Sequence, residues 1–352
     1  MSISRDNHYL PQMYLKQWAQ DGRIQEYRLI VSHASVPNWK RRTIKSAAVQ
    51  KNLYLRMEDD IELDDIEHWF DQNFEEPAAK ALNKVCTGIE LSNKETHLLL
   101  NFVIAQWVRT PAFHQVAMRQ GQTIAPSVLE NIAKEAEDLS PQDIVGHVPK
   151  SPLDSTLIPI SIKNTGVKSD SSHTLLEIST IVGKGFWLAV MKYYLNPDSA
   201  VYQYLHKLKW SIVSAPAGYF WPTSDNPFVV TRVSKSGSLS LVNPELGIGH
   251  KKTVLLFPIS PQKVLLGTRF RKYKRRFEAD NAMAQNIKRC FVENAFLYIY
   301  CRDEDSQICQ MRPRIIDAKQ YQKTKESYDN WYDNYKDIEA PLLSSTHTIG
   351  NL

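Results

Sequence analysis

The chain has 352 residues with 43% hydrophobic, 10% aromatic and 23% charged side chains, a composition that excludes extended disorder and is long enough for a large core or two packed lobes. A formal net charge of +5 is only mildly basic, so any preference for an anionic partner must come from local clusters and not from the average. The four cysteines, Cys86, Cys290, Cys301 and Cys309, show neither zinc-site nor thioredoxin-like spacing and suit a reducing compartment.

Met1 to Asn7 lacks the basic start and apolar stretch of a signal peptide, and no apolar run reaches spanning length; the expectation is a cytoplasmic protein without membrane contact. Residues 23–31 and 52–56 read as strands from their alternation. After an acidic stretch from Glu58 to Asp65, Ile66, Phe70, Phe74, Ala78, Ala81 and Val85 recur at helical spacing, and carboxylates suit the positive end of a helix dipole. Ser92 and Glu95 have capping-box spacing, which predicts a buried helix from there to Thr110, where Pro111 disfavours helical geometry in its predecessor. Residues 126–139 and 174–195 read as helices, and 150–171 as a long connection that could act as a lid.

From Lys209 the texture changes to short β-rich runs at 210–215, 228–233, 253–257 and 263–269, with a helix over 279–293 and a strand over 296–301. The fold class expected is α+β, with a helical N-terminal half packed against a mixed or antiparallel sheet from the C-terminal half. Residues 1–300 read as one extended domain, with a helical lobe over 58–195 and a β-rich lobe over 205–300. Residues 301–340 read as a peripheral segment, and 341–352 as a disordered tail.

Four places carry possible chemistry. His8 is polar within an anchoring stretch of Tyr9, Leu10, Tyr14, Leu15 and Trp18, and its imidazole can serve as acid or base near neutral pH. Gln106 and Arg109 are three apart on one side of the buried helix, and a buried guanidinium needs an anionic partner. Thr223-Ser224-Asp225-Asn226-Pro227 has turn chemistry, yet its apolar flanks would hold Asp225 close to the core, where it could meet Arg109. Of Glu75 and Glu76, one could face inward. Lastly, Arg269, Arg271, Lys272, Lys274, Arg275 and Arg276 interleave with Phe270 and Tyr273, a pattern that suits single-stranded nucleic acid or else a charged, protected edge strand. Lys40-Arg41-Arg42 and Lys251-Lys252 could extend that patch.

His8-Tyr9-Leu10-Pro11-Gln12 with Tyr14-Leu15, Gln106 with Arg109-Thr110-Pro111, Thr223 to Pro227, and Phe257-Pro258-Ile259-Ser260-Pro261, followed by Asn286 and Ala295, occur in an order that resembles domain of unknown function 4238, a bacterial and fungal family. The resemblance spans His8 to about Tyr300. It implies one extended unit whose polar signature residues come from distant segments and share a pocket, and it supplies no reaction.

No phosphate-cradling glycine loop, zinc-protease motif, nucleophile elbow or calcium loop is present, and Gly247-Ile248-Gly249 is too short for a dinucleotide site. The cofactor is therefore unknown; a divalent metal stays open only through dispersed ligands such as His8, Glu76 and Asp225. The preferred reading is a hydrolase of a phosphodiester or nucleotide, such as a nuclease. His8 would be acid or base, Arg109 would stabilise charge, and Asp225 would orient His8 or a water; Gln12, Gln106, Ser224 and Asn226 would hold substrate. The rivals are a non-catalytic nucleic-acid-binding or sensing component of bacterial phage defence or a toxin system, and a structural or protein-interaction module.

Overall fold

The computed structural model describes residues 5–58, 61–137, 160–167, 174–180, 184–234, 237–242, 248–269, 273–331 and 333. The chain divides into a larger unit, residues 1–113 with 194–331, and a smaller unit, residues 114–193 with 332–352. The fold is α+β, as its sequence pattern indicates.

In the larger unit the chain opens with β1 (Asp6–His8), the short helix α1 (Gln12–Leu15) and a single 3-10 turn over Lys16–Trp18. The strands β2 (Arg23–Arg28), β3 (Ile30–Val31), β4 (Trp39–Thr43) and β5 (Val49–Lys51) follow, and β5 pairs back on β1 with His8 opposite Val49. The strand expected over 52–56 starts only at Arg56, in β6 (Arg56–Glu58), because Asn52 takes a positive φ of 54° that ends β5. A hairpin joins β6 to β7 (Ile61–Leu63).

The next helix comes in two α-helical parts, α2 (Asp65–Phe70) and α3 (Glu76–Cys86), joined by a π-helical stretch over Asp71–Glu75. Pro77 explains the join: it cannot donate to the carbonyl of Asn73 and its ring would crowd that oxygen, and the wider π turn just before it relieves the clash. Next, α4 (Asn93–Val108) begins at the expected capping box, with Ser92 and Glu95 satisfying each other's backbone donors. Every residue from Phe102 to Val108 is buried, as the apolar sequence around this helix requires.

The smaller unit holds most of α5 (Pro111–Glu137), the hairpin β8 (Ile160–Val167) with β9 (Thr174–Thr180), and most of α6 (Lys184–Leu195). Two expectations change here. The helix expected over 174–195 is a strand over Thr174–Thr180, whose Thr, Leu and Ile residues pair along β8, and a helix over Lys184–Leu195. The connection expected over 150–171 contains β8, while 150–159 and 168–171 lie outside the described residues, as does the tail 341–352.

The larger unit resumes with α7 (Ala200–Lys207), β10 (Lys209–Ser214), β11 (Thr223–Ser224), β12 (Val229–Val233), β13 (Leu239–Leu241), β14 (Thr253–Ser260), β15 (Lys263–Thr268) and β16 (Arg276–Glu278). The chain then forms α8 (Asn281–Asn294), β17 (Tyr298–Cys301), α9 (Ser306–Met311), β18 (Ile315–Ile316) and α10 (Ala318–Asp329). Its mixed six-stranded sheet has the order β13-β12-β14-β15-β10-β16, and a second, antiparallel sheet runs β11-β17-β2-β4.

All eight residues of β14 are buried because both faces of the strand are covered. Val254 and Leu256 pack with Ile287 and Phe291 of α8. Phe257, on the opposite face, meets Tyr14 of α1 and Phe102 of α4. That layering brings the start of the chain against the end of α4.

Candidate functional site: a clamped histidine at the first strand

Arg109 is buried to 1% exposure at the C-terminal end of α4, so its charge must be met from within the protein. Its Nη1 donates to Glu75 Oε1 at 2.5 Å, its Nη2 to the backbone carbonyl of His8 at 2.5 Å, and its Nε to the Tyr54 hydroxyl at 3.2 Å. Tyr54 in turn donates to the Arg109 carbonyl at 3.0 Å, and the guanidinium carbon lies 4.5 Å from the centre of the Phe70 ring. Burial alone would drive the guanidinium down; Tyr54 and Glu75 outweigh it and hold Arg109 above its ordinary range. Burial also pushes the Tyr54 phenol up to about 12, so it stays a donor at neutral pH.

A second carboxylate grips the same strand. Glu67 accepts the backbone N–H of His8 at 3.1 Å through Oε1 and the Asn7 side-chain amide at 2.6 Å through Oε2. Glu67 and Glu75 are eight residues apart, whereas about seven residues make two regular turns. The π-helical stretch takes up the extra residue and turns both carboxylates to the first strand. The peptide of His8 is therefore held from both ends, its N–H by Glu67 and its carbonyl by Arg109.

The His8 imidazole is half-buried, and its Nε2 lies 3.1 Å from the Lys45 carbonyl. A carbonyl only accepts, so Nε2 carries the proton and Nδ1 keeps its lone pair. Among the described residues Nδ1 has no hydrogen-bond partner. Burial lowers the pKa of His8, and Arg109 adds to this, against the opposing pull of the Lys45 carbonyl, Glu67 and Glu75. The ring is thus a neutral base at pH 7. Arg5, just before β1, Lys45, whose carbonyl meets His8, and Lys51, opposite the exposed Asp6, are all exposed.

Asp225 does not join this cluster, and the expected pairing with Arg109 is not formed. Its Oδ1 accepts the N–H of Phe296 at 2.7 Å, and its Oδ2 those of Leu297 and Tyr298 at 2.6 and 3.0 Å. Buried amides need acceptors, and the fully buried Asp225 carboxylate supplies them for these three. Burial pushes the Asp225 carboxyl up to about 7, against the pull of the three backbone donors and Arg312. Neighbouring signature residues are structural too. Asn226 donates to the Asn294 carbonyl, Asn294 donates back to the Asn226 carbonyl, and Ser224 Oγ accepts the Asn226 N–H. Tyr14 donates to the Pro258 carbonyl at 2.8 Å and meets Thr223 Oγ1 at 2.7 Å, which ties three signature segments together away from His8.

Gln12, expected in the pocket, is exposed as the first residue of α1. Gln106 is fully buried, and neither of its amide atoms has a hydrogen-bond partner among the described residues. Glu76 is exposed, and Glu75 is the one of the pair that faces inward. Nothing local in the sequence marks Asn7, Tyr54 or Glu67 as partners of this cluster; only a π turn before Pro77, which aligns positions eight apart, relates the two carboxylates.

Two of the six basic residues, Arg275 and Arg276, are committed to structure. Arg275 donates to the Leu91 carbonyl at 2.9 Å, and Arg276 to the carbonyls of Gly88 and Ile89, where the chain leaves α3. Tyr273 stacks on Phe277, with ring centres 5.2 Å apart, and is not splayed out for a base. Arg276 opens β16, an edge strand of the six-stranded sheet. Arg269 lies over the Tyr204 ring and Lys274 is exposed, while Arg271 and Lys272 lie outside the described residues.

Among the described residues no group of three or more His, Cys, Asp or Glu is placed to hold a metal, and no helix is long and apolar enough to cross a membrane. No curated protein and no solved structure matches the chain. A family model described as "Protein of unknown function (DUF4238)" matches residues 6–305.

Proposed function

We propose, for a chain that belongs to this DUF4238 family of proteins of unknown function, that it is a hydrolase of a phosphodiester or nucleotide with His8 as its acid–base group. The observation that carries this reading is the double grip on the His8 peptide by Glu67 and Arg109. Anchoring a three-residue strand needs no buried ion pair, whereas fixing the direction of one imidazole does call for rigid, charge-assisted bonds.

In this reading Nδ1 of His8 takes a proton from a water as its oxygen attacks phosphorus, and the imidazolium then returns that proton to the leaving oxygen. Arg109 and Glu67 are positioning residues, since both are spent on the His8 backbone and its neighbours. The exposed Arg5, Lys45 and Lys51 supply the positive charge that a phosphate needs.

The test incubates the purified chain with RNA, single-stranded DNA, nucleotides and bis(p-nitrophenyl) phosphate, with and without Mg2+ or Mn2+. Hydrolysis that disappears in His8→Ala at an unchanged melting temperature supports the proposal. No product from any substrate, or full activity in His8→Ala, refutes it. A second reading, that the signatures only close the fold, is favoured at residues 223–227 by the Asp225 and Asn226 bonding, and there we adopt it.

A further inference from the structure

We propose that the C-terminal helix α10 is a displaceable strap over a binding face for single-stranded nucleic acid on the β11-β17-β2-β4 sheet. The face is separate from His8, and binding there does not depend on hydrolysis. Alternation along the paired strands puts Tyr298 and Tyr300 of β17, Glu26 and Arg28 of β2, and Lys40 and Arg42 of β4 on one side of the sheet. Tyr27, Trp39, Ile299 and Cys301, on the other side, pack into an apolar core. A face buried only for stability is apolar, as that one is. This face instead sets three cations against one carboxylate. Glu26 accepts from Arg42 at 3.1 Å, which leaves Arg28 and the exposed Lys40 for an anion.

Arg28 is the centre of the face. Its guanidinium carbon lies 5.4 Å from the centre of the Tyr298 ring and 4.2 Å from that of Tyr321 of α10, one cation between two aromatic rings. Among the described residues its Nε has no hydrogen-bond partner. Tyr321 therefore fills a slot over Arg28 that suits one aromatic ring. A nucleobase stacks on a guanidinium in the same way, with Arg28 and Lys40 as the cations for its phosphates.

The hold of α10 on this face is slight. It packs against β3 and β5, yet none of its 12 residues is buried, and only Tyr321, Thr324 and Tyr328 are half-buried. Its charges, Lys319, Lys323 and Lys325 against Glu326 and Asp329, give no attraction to a basic face. The helix also lies beyond residues 6–305, the span that the family model matches. Elements with so few buried contacts open at the low-stability end of a fold. A base and Tyr321 compete for the same side of Arg28, so one displaces the other.

Hydrogen exchange on the full-length chain should show the amides of 318–329 exchanging at least about 100-fold faster than those of α8, and faster still with oligouridylate added. By fluorescence anisotropy, the double variant Tyr321→Ala with Tyr328→Ala should bind labelled oligouridylate about ten-fold tighter than the parent chain, the scale of one stacked base. Adding Arg28→Ala should remove that gain. A gel of the same probe reads cleavage separately from binding. Protection of α10 equal to that of α8, loss of the cooperative melt in the double variant, unchanged affinity, or a gain that survives Arg28→Ala would each overturn the proposal.

Discussion

Asp225 and Arg109 are both buried charges, and each is resolved by a different kind of partner. Arg109 has a carboxylate, a hydroxyl and a carbonyl, while Asp225 accepts hydrogen bonds from three backbone N–H groups. An amide in place of the Asp225 carboxylate would turn an NH2 group toward backbone donors that need an acceptor. Asp225→Asn should therefore lose about 3 kcal/mol of stability, read by chemical denaturation. Any hydrolysis by the folded fraction should persist, because this carboxylate does not touch His8. The opposite pattern, lost activity at full stability, would return Asp225 to the site. For His8 the sign follows from its lowered pKa. The base is the neutral ring, so the rate should be flat around pH 7 and fall on acidification only below the ordinary histidine value of about 6.5. A pH–rate profile checks this, and a limb above that value would assign the base to another group.

At the scale of elements, two devices place the site: the π-helical stretch that aligns Glu67 with Glu75, and the layering of α4 against β14. The six-stranded sheet shows a comparable local constraint where β10 meets β15. Trp210 lies opposite Gly267, and a Cβ at Gly267 would come within 2.9 Å of the indole ring. The ring is also held by its Nε1 donating to the Leu205 carbonyl, so it cannot easily swing away. Gly267→Ala should cost about 1–3 kcal/mol by overpacking. Trp210→Ala in the same chain should recover part of that loss, a coupling that a double-mutant cycle in denaturant measures. Additive losses would show that the close approach is not what the glycine serves.

For the molecule as a whole, residues 114–193 leave and re-enter the larger unit at neighbouring points. Phe113 and Tyr194 lie with ring centres 5.3 Å apart, and both rings pack on Trp107. The larger unit holds both main sheets and the His8 cluster, so a short glycine-serine linker in place of residues 115–192 should leave it folded. A cooperative melt, with circular dichroism that keeps the strand signal, is the expected result; a molten or aggregated product would show that the excursion is needed to complete the core.

Local rules sufficed for much of this chain. The capping box at Ser92, the helix stop at Pro111, the apolar strand runs after Lys209 and the α+β class are all legible because each depends on neighbours in sequence. Tertiary structure alone decided which buried charge meets which partner, because that choice depends on packing between segments up to a hundred residues apart. Asp225 and Glu75 were both available to Arg109 by residue type. The turn before β17 claimed the first for its unpaired amides, and the π turn at Pro77 delivered the second. The same long-range packing separated the family signatures, leaving His8 clamped at one end and tying Tyr14, Thr223 and Pro258 into the core.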